Sequence, residues 1–96
     1  MSAKAIVIDT KDNLANMVGK GTKGDKVTCT VADSETVTIE LLDDIPSNHK
    51  FAFVDIKKDD DILKYGLNMG KASTDIKKGE YVHVHNIESN RGRGDL

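Results

Sequence analysis

The 96-residue chain has no tryptophan, one proline, one cysteine and only four aromatic side chains, Phe51, Phe53, Tyr65 and Tyr81. Each scarcity excludes something. A lone Cys29 cannot close an internal disulfide, so the stapled scaffolds of small secreted domains are ruled out. The longest uninterrupted apolar runs, Ala5-Ile6-Val7-Ile8 and Phe51-Ala52-Phe53-Val54, fall far short of the roughly 20 residues a membrane helix requires. No basic segment followed by an apolar one opens the chain as a secretory leader would. A cytoplasmic address without a membrane partner is expected. The 14 Lys and Arg against 16 Asp and Glu give a formal net charge of -2, which is not the basic footprint of a nucleic-acid binder. So little aromatic bulk in so short a chain limits the core, and a homo-oligomer or a larger partner would add buried area.

What the chain does have is β-branched residues, with 8 valines, 8 isoleucines and 7 threonines. These favour strands. Hydrophobic residues at 38% and charged residues at 31% are an ordinary globular composition. Ile6-Val7-Ile8 reads as a strand buried on both faces or as an edge strand. Thr10 or Asp12 could cap a short helix through Leu14, Ala15, Met17 and Val18, ended by Gly19 and Gly21. From Lys26 the period is two: Val27, Cys29 and Val31 alternate with Lys26, Thr28 and Thr30, and after the turn residues Ala32-Asp33-Ser34-Glu35 the alternation resumes in Val37, Ile39 and Leu41. Residues 26–42 are therefore a predicted hairpin with Cys29 on its apolar face. Short strands are predicted at Phe51-Ala52-Phe53-Val54, Leu63-Lys64-Tyr65, Lys71-Ala72-Ser73 and Tyr81 to His85.

A repeat runs through these strands, Asp55-Ile56-Lys57-Lys58 recurring as Asp75-Ile76-Lys77-Lys78, with a looser copy at Lys23-Gly24-Asp25-Lys26-Val27. Gly24, Asp59 and Gly79 take the position that needs a left-handed residue, so the unit is a turn followed by a strand.

The strongest local constellation is His83-Val84-His85-Asn86. On a strand the two imidazoles would project from one face, about 6.6 Å apart at 3.3 Å rise per residue, and could ligate one metal ion. A pair of solvated histidines is the plain alternative. His49 lies in the turn before the Phe51 strand, beside Lys50, and would join the pair if the fold brought that turn to the end of the Tyr81 strand. Lys64-Tyr65-Gly66 sets a cation and a phenol before a glycine turn. Arg91 and Arg93, in the glycine-rich tail 91–96, suit an anionic ligand. The domain itself is expected over residues 1–90.

Taken in order, Ile45-Pro46-x-x-His49-Lys50-x-Ala52, Asp55-Ile56, Ile62-x-Lys64-Tyr65-Gly66-x-x-x-Gly70-x-Ala72, Asp75-Ile76-x-x-Gly79-Glu80-x-Val82-His83-Val84-His85-Asn86 and Arg91-Gly92-Arg93-Gly94-Asp95-Leu96 closely resemble the SAF domain of altronate and galactarate dehydratases. Asn48 and Asp59 stand where that family has glycine. The resemblance implies a mainly β, compact β-clip domain of many short strands, with the short helix near the N-terminus added from the pattern above. It also implies a lyase that removes water from a sugar acid with a divalent metal, iron or manganese, in which this domain works with a large catalytic subunit. The small subunit of a sulfolactate sulfo-lyase is related. Carried onto this sequence, His49, Lys64 and Tyr65 would be catalytic, Lys50, Asn86, Arg91 and Arg93 would bind substrate, and His83 and His85 would hold metal. The chain alone is expected to be inert, since 96 residues leave no room for a large pocket. A binding module without turnover and a purely structural partner domain are the competing readings.

Overall fold

A computed structural model describes residues 3–83 and 85–88. Within them the chain forms β1 (Ala3–Val7), β2 (Leu14–Val18), β3 (Lys26–Val31), β4 (Glu35–Glu40), β5 (Lys50–Ala52), β6 (Asp61–Lys64), β7 (Leu67–Ala72), β8 (Tyr81–Val82) and β9 (Ile87–Glu88). A six-stranded sheet runs β4-β3-β1-β2-β5-β8, and a three-stranded sheet runs β6-β7-β9. The β1–β3 pair is parallel and the other strand pairs are antiparallel.

The hairpin of residues 26–42 forms in the register its alternation predicts, with Thr28 opposite Thr38 and Cys29 opposite Val37. Ala32 and Asp33 both have positive φ, 50° and 60°, and the Ser34 N–H closes the turn onto the Val31 carbonyl at 3.0 Å. This backbone matches the right-handed twist of the strands it joins.

Two expectations are corrected. Leu14–Val18 is a strand, and no helix occurs among the described residues. Its residues pack on both sides, Ala15 and Met17 into one core and Leu14 into another, so the spacing of 14, 17 and 18 imitates a helical stripe. A strand buried on both faces carries no period of two to give it away. β1, for its part, is neither doubly buried nor an edge. It lies inside the sheet with Ala5 and Val7 inward and Ile6 40% exposed.

The first core gathers Val7, Met17, Val27, Cys29, Ile39, Leu41, Ile45 and Phe51 on one face of the large sheet. The second lies across the other face of β2, β5 and β8, where Leu14, Ala52 and Val82 meet Ile56, Ile62, Ala72 and Ile76.

The repeat is used four times. The turns Thr22–Asp25, Pro46–His49, Lys57–Asp60 and Lys77–Glu80 each close with a hydrogen bond from the fourth residue's N–H to the first residue's carbonyl, at 2.9, 3.1, 2.9 and 2.9 Å. Each has positive φ at its third residue, Gly24, Asn48, Asp59 or Gly79. They dock in pairs through antiparallel bridges, Gly21 with Ile45 and Ile56 with Ile76. In the second pair the clasp is reciprocal: the Lys58 N–H donates to Asp75 and the Lys78 N–H to Asp55, both at 2.9 Å.

Candidate functional site

Position 49 departs from the rest of the repeat. In the other three turns the fourth side chain accepts the N–H of the first residue: Asp25 from Thr22, Asp60 from Lys57, Glu80 from Lys77. Pro46 has no N–H to satisfy. The carboxylate is therefore dispensable at position 49, and an imidazole stands there instead.

That imidazole is oriented by Nδ1, which lies 3.0 Å from the Ser47 carbonyl. A carbonyl only accepts, so Nδ1 carries the proton and, in the neutral ring, Nε2 keeps its lone pair. The His49 ring lies 5.5 Å from that of His83 and 5.9 Å from that of Tyr81. Tyr81 stacks on His83 at 5.8 Å and meets His85 at 5.5 Å. The three histidines thus converge around one phenol, as the sequence allowed if the turn of residue 49 reached the end of β8.

They do not converge as predicted from a strand. β8 ends at Val82, and the chain turns back through an Asn86 N–H to His83 carbonyl bond of 3.0 Å. Asn86 builds this turn. Its buried amide donates to the Tyr81 carbonyl and accepts from the His83 N–H, both at 2.9 Å, so the residue expected to bind substrate here fixes the histidines in place.

The cations come from two elements. Lys50, on β5, is half-buried and pairs with Asn16 and Val82 in the neighbouring strands. Burial, and then the charge of Lys64, lower its pKa from the ordinary lysine value. Lys64 closes the β6–β7 hairpin, with its Nζ 4.8 Å above the ring of Tyr65. Tyr65 and Gly66 form the hairpin tip, and Asp12 accepts both of their N–H groups, at 2.8 and 2.7 Å. Sequence reasoning assigned Asp12 to a helix cap and missed this role and that of Tyr81. Arg91 and Arg93 lie outside the described residues.

Among the described residues no group of three or more His, Cys, Asp or Glu side chains is placed to hold a metal ion. His49, His83 and His85 are not such a group among those residues. Two cavities lie elsewhere: one of about 340 Å³ is lined by Val37, Phe53, Val54, Asp55 and Lys78, and one of about 210 Å³ by residues 20–22 and 44–46. His85 is exposed, and His49 and His83 are half-buried.

Comparison with known proteins follows the same lines. The family model described as the altronate/galactarate dehydratase SAF domain matches residues 3–90. The chain is 36% identical to the (2R)-sulfolactate sulfo-lyase subunit alpha of Chromohalobacter salexigens over 95% of this chain and 99% of that protein. It is 52% identical over 54 residues to the altronate dehydratase of Bacillus subtilis and 40% identical over 85 residues to that of Escherichia coli. Of those two dehydratases it spans 11% and 16% of the length.

Proposed function

Because the chain belongs to the SAF-domain family of altronate and galactarate dehydratases, we propose that it is the small component of a sugar-acid lyase of the altronate dehydratase type, a cytoplasmic enzyme. It acts with a large catalytic polypeptide. The observation that carries the reading is the meeting of His49, His83 and His85 around Tyr81, beside Lys50.

Elimination from a hydroxy acid breaks a C–H bond next to the carboxylate and a C–O bond one carbon further. The resulting enol becomes a 2-keto-3-deoxy acid. Such a reaction needs a base for the carbon-bound proton, countercharge for the enediolate-like anion and an acid for the departing hydroxyl. His49, with its proton fixed on Nδ1, offers Nε2 as the base. His83 or the Tyr65 phenol gives the proton to the leaving oxygen. Lys50 and Lys64 hold the carboxylate, with Arg91 and Arg93 as further anion contacts. His85 and Tyr65 are exposed, and the partner closes over them to exclude water. The iron or manganese ion implied by the family we assign to the assembled enzyme, with most of its ligands coming from the partner.

The end-to-end match to a sulfolactate sulfo-lyase subunit alpha favours a second reading. There the same groups would assist loss of sulfite instead of water.

The test is purification of the tagged chain from its own cells, with assays of whatever polypeptide accompanies it. A complex that turns altronate into a keto acid supports the first reading, and one that releases sulfite from sulfolactate supports the second. His49→Ala and His83→Ala should abolish turnover while leaving the complex intact. Turnover by the chain alone, or full activity in both variants, would overturn the proposal.

A further inference from the structure

We infer that Asp12 is a positioning residue: through the backbone of the Tyr65-Gly66 tip it holds the Lys64 ammonium where the site uses it. This rests on the lyase reading above.

The inference begins from an outlier. The β6–β7 hairpin closes in two residues, Lys64 opposite Leu67, and both tip residues have positive φ, 57° at Tyr65 and 74° at Gly66. Such a turn is ordinarily made by Asn-Gly. A side chain with a Cβ is strained in that conformation, and strain of this kind persists only where the surroundings impose it. Packing does not impose it here, since Tyr65 is 51% and Leu67 64% exposed.

Polar bonds do. Asp12 is 5% exposed, and its carboxylate accepts three backbone N–H groups: Gly66 on Oδ1 at 2.7 Å, Tyr65 on Oδ2 at 2.8 Å and Asp9 on Oδ2 at 3.2 Å. Bonds to a charged acceptor are roughly twice as strong as those to a neutral one. Asn13 fastens the base of the same hairpin, accepting the Leu63 N–H at 2.7 Å and donating to the Asp61 carbonyl at 2.8 Å. The hairpin is thus held at its tip by Asp12 and at its base by the next residue, Asn13.

An Asn-Gly tip would need no buried carboxylate to close. What tyrosine adds is the ring on which the Lys64 ammonium rests at 4.8 Å, which restricts an otherwise freely rotating cation. Asp12 touches no substrate; it acts through that tip.

The test uses the full chain, alone and in its complex, with Asp12→Ala and the milder Asp12→Asn, which keeps one acceptor oxygen. In the free wild-type chain, hydrogen exchange should find the Tyr65 and Gly66 amides protected despite their exposure. Asp12→Ala should lose that protection, with the β3–β4 amides unchanged. In the complex, assayed well below its melting temperature, KM for the acid should rise about tenfold, the scale of one bond to a charged group, with kcat little changed. A role confined to stability would lower the melting temperature and leave KM alone, which would overturn the inference, as would unchanged exchange at the tip. If Asp12→Ala does not fold, Asp12→Asn carries the same comparison. If the wild-type complex shows no elimination, the lyase reading fails, and exchange then decides the clamp by itself.

Discussion

His49 is available for chemistry because Pro46, three residues earlier, has nothing to donate. Restoring the pattern of the other turns with Pro46→Thr and His49→Asp together should give a chain that melts no lower than the original while its complex loses turnover. Thermal denaturation and the elimination assay would check the two halves separately. Cys29 represents the opposite case, a reactive residue made inert. It is fully buried, and burial pushes its thiol from 9.0 up to about 11. Below pH 9 folded and unfolded chains both hold the proton, so the contribution to stability is complete. Between 9 and about 11 only the unfolded chain ionises, and that contribution is lost as pH rises. The urea midpoint should fall across that window, less steeply in Cys29→Ala, and alkylating reagents should spare the folded protein.

The turns that organise the strands depend on their third residue. Gly79 combines a φ of 94° with a backbone so close that a Cβ would collide with the Glu40 carbonyl oxygen. Gly79→Ala should cost about 2 kcal/mol or more, read from the urea midpoint. Asp59→Gly, at an exposed equivalent with φ 75°, should cost little. These turns were legible in the sequence, because a left-handed residue after Asp-Ile-x-x is a local requirement. The copy at Asp44-Ile45-Pro46-Ser47-Asn48 is less legible as a repeat, since Pro46-Ser47 replaces the paired lysines of the other two. The hairpin of residues 26–42 was legible through its alternation. β2 was not, because two cores on opposite sides erase the period that identifies a strand. The convergence of the histidines depended on β5 pairing with β8, a contact between residues some thirty positions apart that no local pattern encodes.

At the scale of the molecule, β2, β5 and β8 serve both layers, with Leu14, Ala52 and Val82 on one side and Ala15, Met17 and Phe51 on the other. Neither core can open without exposing the strands of the other. Leu14→Ala should cost about 2–5 kcal/mol, and backbone circular dichroism and tyrosine fluorescence should still report one coincident transition. The site borders the same shared strands, with Lys50 on β5, His49 in the turn before it and His83 and His85 just beyond β8. The fourfold turn has a further consequence for how the protein can be studied. Positions 25, 60 and 80 are three copies of position 49 relieved of chemistry, written into every molecule. Whatever mutation or selection does to the histidine can be judged against them, so the protein carries its own controls.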